Sequence, residues 1–195
     1  MRRAFALMLF LMLMAMCTAG QEPTNLVANG SFELDANGDG LPDGWRSYGR
    51  EGMVIQRLST DIGRDGGKCA SLICTHFEGG YPDCHAMIAQ VGVVSVKRGK
   101  WYRLRFWARG DAIKGSVARV ALVDTSNWES CGLRVNFRPR ALWRQFEFTF
   151  QCTRTASKTT RLQFWFNSTG TLWLDDVELV EIPPPKRRYN PMLNI

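Results

Sequence analysis

Between positions 35 and 43, oxygen-bearing side chains recur at alternate residues in the run Asp35-Ala36-Asn37-Gly38-Asp39-Gly40-Leu41-Pro42-Asp43. Asp35, Asn37, Asp39, the Leu41 carbonyl and Asp43 are hard oxygen donors at the spacing with which an EF-hand loop opens. With a glycine at the sixth place, they could wrap one calcium ion. The twelfth place holds Arg46 instead of a bidentate glutamate, and no helical pattern flanks the loop, so affinity would be weak. The alternative is an Asx-rich turn, in which the same side chains cap backbone N–H groups.

Residues suited to catalysis are sparse. His76 and His85 are the two histidines, both in a cysteine-bearing stretch, and no serine or cysteine sits in a recognisable nucleophile setting. Glu33, Asp83, Glu129 and Glu147 could meet in space as the carboxylate pair of a glycoside hydrolase, but their spacing does not demand it. The expectation is a protein that is not an enzyme.

Compartment is read from the first residues. Met1-Arg2-Arg3 precedes an apolar run from Ala4 to Met16, with small residues Thr18, Ala19 and Gly20 after it. The run is shorter than the roughly 20 residues of a membrane-spanning helix and reads as a cleaved signal peptide over residues 1–20, hence a secreted protein with no membrane span. A lipoprotein acylated at Cys17 is the rival, weakened by Met16 where a small residue would precede the cysteine. Five cysteines then remain: Cys69, Cys74, Cys84, Cys131 and Cys152. In an oxidising compartment at least one disulfide is expected, Cys74 or Cys69 with Cys84 and Cys131 with Cys152 being candidates. A zinc site with His76 and His85 lacks any tight Cys-x-x-Cys pair.

The formal charge of +7 misleads. Five of the 25 Lys and Arg lie in the leader or at Lys186, Arg187 and Arg188. The remaining 20 face 18 Asp and Glu, a net of +2, which is no argument for nucleic acid. Residues 183–195 read as a Pro-rich basic linker or tail, of the kind that leads to a fused or neighbouring enzyme.

The elements that must position these residues are strands. Trp101–Ala108 alternates Tyr102, Leu104 and Phe106; Gln145–Cys152 alternates Phe146, Phe148 and Phe150; Arg161–Phe166 alternates Leu162, Phe164 and Phe166. Thr171–Leu179 continues with Trp173, Val177 and Leu179. Weaker candidates are Leu26–Phe32, Met53–Leu58, Cys69–Thr75, Ala86–Val94 and Val117–Val123. About nine short strands over residues 21–182 predict an all-β, antiparallel two-sheet β-sandwich or jelly roll.

Within that frame, Asn25-Leu26-Val27-Ala28-Asn29-Gly30-Ser31-Phe32-Glu33, Gly44-Trp45, the run Gly99 to Gly110 and Leu174-Asp175-Asp176-Val177-Glu178-Leu179 together resemble carbohydrate-binding modules of the family four and nine type. The resemblance implies a galactose-binding-domain-like jelly roll without catalysis, attached to polysaccharide or another glycan. It also implies a structural calcium held by the first strand and an acidic residue of the last, positions matched here by Glu33 and Asp175. Period two independently places Asp175 in phase with Trp173, Val177 and Leu179, where a carboxylate needs a partner such as a hard cation. The alternative is a strand-end carboxylate accepting backbone N–H bonds.

Sugar recognition needs aromatic faces for stacking and polar side chains for orientation. Opposite the apolar faces lie Arg103, Arg105, Trp107 and Arg109 on one strand and Gln163, Trp165 and Asn167 on another. Trp128, in the turn-rich segment from Asp124, is placed to line the same cleft. Arg103, Arg105, Trp107, Trp128, Gln163 and Trp165 are therefore the candidate carbohydrate contacts. The arginine-rich face further suggests anionic glycans. An extracellular protein–protein adhesion module of the same fold is the alternative function.

Overall fold

The computed structural model describes residues 23–185; the expected signal peptide, Cys17 and the basic part of the tail lie outside them. Ten antiparallel strands form two five-stranded sheets. The first sheet has the order β1 (Arg46–Tyr48), β4 (Ala86–Val91), β9 (Thr160–Phe166), β6 (Ala118–Asp124), β7 (Glu129–Phe137). The second has β2 (Val54–Ile62), β3 (Lys68–Phe77), β10 (Gly170–Ile182), β5 (Trp101–Asp111), β8 (Arg144–Gln151). One short 3-10 turn, Lys114–Ser116, is the only helical element among the described residues, and no helix there is long and apolar enough to cross a membrane. This is the expected all-β jelly-roll sandwich.

Alternation builds the core. On β5, Tyr102, Leu104, Phe106 and Ala108 are buried while the residues between them are partly exposed. They face Phe150, Phe148 and Phe146 across the β5–β8 pairing, with Tyr102–Phe150 and Phe106–Phe146 ring centroids at 5.8 and 5.5 Å. Phe164, reaching in from the other sheet, meets Phe106 edge-on at 5.0 Å, which fastens the two sheets face to face.

Three expectations are corrected. Leu26–Phe32 is not a strand but an irregular strap laid on β10. Leu26 N–H donates to Leu179 O at 2.8 Å, Val177 N–H to Gly30 O at 2.8 Å, and the Asn25 amide bonds Val177 O and Leu179 N–H. Phe32 caps the core at a φ of 60°, 5.1 Å from Trp45, and Gly30 has no room for a side chain because a Cβ would lie 2.0 Å from Val177 O.

The single apolar phase expected along Thr171–Leu179 is broken by a bulge between Asp175 and Glu178, where Asp176 takes a φ of 48°. Leu172 and Leu174 face the core before it and Val177 and Leu179 after it. Trp173 and Asp175 instead pair in register with the outward residues Arg109 and Trp107. Asp175 is therefore buried beneath the β2–β3 turn and not in the sandwich core.

The expected disulfides are absent, for Cys69, Cys74, Cys84, Cys131 and Cys152 are all free. Each is buried as a small apolar side chain, and the thiols of Cys69, Cys74 and Cys152 each turn to a nearby backbone carbonyl, of Ile62, His76 and Arg154, rather than to one another.

Candidate functional site

The solvent side of the first sheet is a groove with a packed floor. In register across β1, β4, β9 and β6 run Tyr48, Met87, Trp165 and Arg119, then Arg46, Ala89, Gln163 and Ala121, then, from β4 onward, Val91, Arg161 and Val123. Met87, Ala89, Ala121, Val123 and Trp165 pack with Tyr48 as an apolar cluster separate from the sandwich core. The small Ala89 and Ala121 on either side of Gln163 leave space above the sheet. The resulting cleft has a volume of about 520 Å³.

Loops raise the walls. On one side, Arg50 pairs with Asp83 at 2.9 Å and stacks on Tyr81 at 4.1 Å, joining the β1–β2 and β3–β4 loops. His85 lies 5.7 Å from Trp165 and meets Asn167 Oδ1 through Nδ1 at 3.2 Å; burial lowers its pKa, so it is a neutral imidazole at pH 7. On the other side the β6–β7 turn presents Trp128. Asp124 Oδ1 accepts from Ser126 N–H and Oγ, and Trp128 N–H closes on Asp124 O at 2.7 Å. The turn holds Trp128 at a φ of 60°, unfavourable for so large a residue, with the indole 61% exposed.

Two donors in this cleft lack acceptors. Trp165 is only 4% exposed and its Nε1 has no partner among the described residues, nor has the buried Nε of Arg161. The Arg161 guanidinium lies 4.1 Å from the Tyr48 ring centroid and 5.8 Å from that of Trp128. Burial depresses its pKa and no acid offsets the effect, the mark of a cation held without a counter-ion. A flat aromatic face beside unpartnered donors is the equipment for a ligand with C–H faces and oxygen acceptors.

Of the sequence-derived candidates, Trp128, Gln163 and Trp165 come together here; Arg103, Arg105 and Trp107 do not. They lie on β5, in the opposite sheet. Arg105 and Trp107 line a broader polar depression of about 750 Å³ with Gln145, Asp176 and Glu178. Larger as it is, its charges satisfy one another. Arg105 and Arg103 reach Glu178 at 3.1 and 3.4 Å, and Arg64 pairs with Asp176 at 2.9 Å while stacking 4.6 Å over Trp107. Arg109 is held against Trp173 at 4.1 Å. Arg103 and Arg105, on which an anionic ligand at that face was to rest, thus already hold carboxylate partners. Tyr48, Met87 and Arg161 were missed, although the alternation that turns Gln163 and Trp165 away from the sandwich core puts Arg161 on the same face.

The carboxylates proposed for calcium divide into two groups. Glu33 and Asp175 grip one turn: Glu33 Oε1 accepts from Lys68 N–H at 2.7 Å, and Asp175 Oδ2 accepts from Arg64 N–H at 3.1 Å while Oδ1 takes Asp176 N–H at 2.8 Å. Asp175 is 3% exposed and desolvation raises its pKa, so its charge is under-compensated. Among the described residues no three His, Cys, Asp or Glu side chains converge on one point. A cation here would need backbone carbonyls to complete an all-oxygen shell, a donor set that fits calcium. In the 35–43 loop, by contrast, Asp35 accepts from Asp39 and Gly40 N–H, Asn37 from Asp39 N–H, Asp39 from Leu41 N–H and Asp43 from Ala36 N–H. Asn37 and Asp39 thereby make Asx turns, while Asp35 and Asp43 tie the loop across its width.

Residues 24–172 match the family described as carbohydrate binding domain. No curated protein matches the chain. Among solved structures, a family 4 carbohydrate-binding module superposes with a TM-score of 0.59 at 22% identity, covering 80% of this chain and 99% of that one. The N-terminal cellulose-binding domain of β-1,4-glucanase C from Cellulomonas fimi does so at 0.54 and 19%, covering 80% and 97%. The family 22 binding module and family 10 catalytic module of xylanase 10B from Clostridium thermocellum, complexed with xylohexaose, match at 0.55 and 14%, covering 82% of this chain and 29% of that one.

Proposed function

The chain belongs to the carbohydrate binding domain family, and from that premise we propose that it is a secreted, non-catalytic module that attaches to polysaccharide through the cleft on the first sheet. The observation that carries this reading is the pairing of an exposed Trp128 on one wall with a buried, unpartnered Trp165 indole N–H on the floor. A sugar ring laid on Trp128 exchanges water for an aromatic face, and its hydroxyls offer acceptors to a floor where Trp165 and Arg161 have unpartnered donors. Asp83 is the single acid lining the cleft, and it is already paired with Arg50, which supports binding without hydrolysis. A neighbouring carbohydrate-active enzyme, joined through the segment beginning at Pro183, would be the natural beneficiary.

Calcium belongs to the same proposal. Bound at the β2–β3 turn by Glu33, Asp175 and backbone carbonyls, it would neutralise the buried carboxylate and fasten the strap to β10. Its role there is structural.

Affinity electrophoresis through gels containing soluble polysaccharides tests the binding reading. Retardation is expected, and Trp128→Ala should weaken it roughly 10-fold without changing the melting temperature, since the indole is exposed and supports no core. Release of reducing sugar would show an enzyme instead. Mobility indifferent to every polysaccharide would favour the adhesion alternative.

A further inference from the structure

The cleft holds more positive charge than its own walls use. Arg50, Arg134 and Arg161 line it against the one carboxylate of Asp83, and His85 is neutral, which leaves a net of two positive charges. Arg50 is matched by Asp83, and Arg134 stands on the exposed rim. Arg161 differs from both. It is half-buried in the floor between Val91 and Val123, its Nε is hidden without an acceptor, and its guanidinium lies against the Tyr48 ring and Met87 Sδ with the Trp128 ring beyond. A desolvated guanidinium without an anion is a poor contribution to stability, and a bidentate oxyanion is its best partner.

Resting on the carbohydrate reading above, we propose that the ligand is a polysaccharide containing uronic acid, whose ring carboxylate pairs with Arg161 while the ring stacks on Trp128. Depth favours a carboxylate over a sulfate ester. The carboxyl carbon is bonded directly to the sugar ring and stays close to it, and Arg161 lies 5.8 Å from the indole on which that ring would rest. The sulfur of a sulfate ester stands off from the ring by an additional oxygen. The arginines of β5 play no part: Arg103 and Arg105 are paired with Glu178 and Glu147, and Arg109, whose Nε also lacks an acceptor, is held between Trp143 and Trp173.

Isothermal titration of the whole protein with oligogalacturonate, with the same oligomer as its methyl ester, with neutral xylan and β-glucan oligomers and with a sulfated galactan separates the possibilities. Wild-type protein should bind the free acid at least 10-fold more tightly than its methyl ester, with the advantage shrinking as salt is raised. Arg161→Gln should lose about 10- to 100-fold on the acid and under about twofold on neutral oligomers, a range set by one hydrogen bond to a charged group. Arg105→Gln, on the other sheet, should change neither. Because the acid-to-ester comparison uses wild-type protein, it stands even if the Arg161 variant does not fold. Equal binding of acid and ester overturns the uronate assignment and leaves the carbohydrate reading intact. Preference for the sulfated chain overturns the carboxylate. Failure to bind any glycan overturns both readings together.

Discussion

Trp128 and Trp165 are both held away from the sandwich core, yet one is a rim and the other a floor, and the difference comes from their neighbours. Trp165 sits mid-strand between Met87 and Arg119, so its ring is covered, whereas Trp128 occupies a turn whose Asp124 cap forces it outward. The same local control governs the thiols. Burial pushes Cys69 and Cys131 up to about 12 and raises Cys74 and Cys152, so none of these four is a thiolate near neutrality. Protein from residue 21 onward should therefore react slowly with a thiol reagent at pH 8 while folded and release all five thiols in denaturant. A denatured count of three or one would show that bridges form after all. That Trp128, Gln163 and Trp165 share one cleft was legible because strand alternation and turn composition place them. Arg103, Arg105 and Trp107 misled because alternation gives the face of a sheet but not what a neighbouring strand brings to it, here Glu178 and Glu147.

Strands with a clear period of two, such as β5, β8 and β9, were legible to within one to three residues at their ends. Those interrupted by special backbone were not. β7 escaped notice because Gly132 at a φ of 106° and the bulge opposite it, between Leu122 and Val123, break its alternation. The strap was mistaken for a strand because Leu26, Val27 and Phe32 are apolar, although two isolated backbone bonds and the Asn25 side chain, not a regular ladder, join it to the bulged part of β10. Gly30 is the tight point of that contact. Gly30→Ala should destabilise the domain by about 2–4 kcal/mol, since the clash is with backbone and nothing flexible can yield. Urea unfolding measures it, and a change below about 0.5 kcal/mol would mean the strap can lift at this point without loss.

For the molecule as a whole, the two sheets divide the labour. One turns its outer face into a cleft, and the other spends its surface charges on itself and carries the strap and the β2–β3 turn. A calcium ion at that turn would bind the native state alone, so excess metal at about 100 times its dissociation constant adds roughly 2.7 kcal/mol. For a domain of this size that is a melting shift of about 5–10 °C. EDTA should remove it and Asp175→Asn should abolish the difference, and unchanged melting in EDTA sinks the calcium assignment. The strap also has a mechanical meaning. Because Leu26 bonds Leu179 and the strap runs antiparallel to β10, both ends of the domain leave from one spot. Tension drawn between them would peel the strap open bond by bond, like a zipper pulled from its free end. Tension entering through a glycan in the cleft and leaving along β10 would bypass that seam, so the domain is a better anchor when tethered by its later end alone.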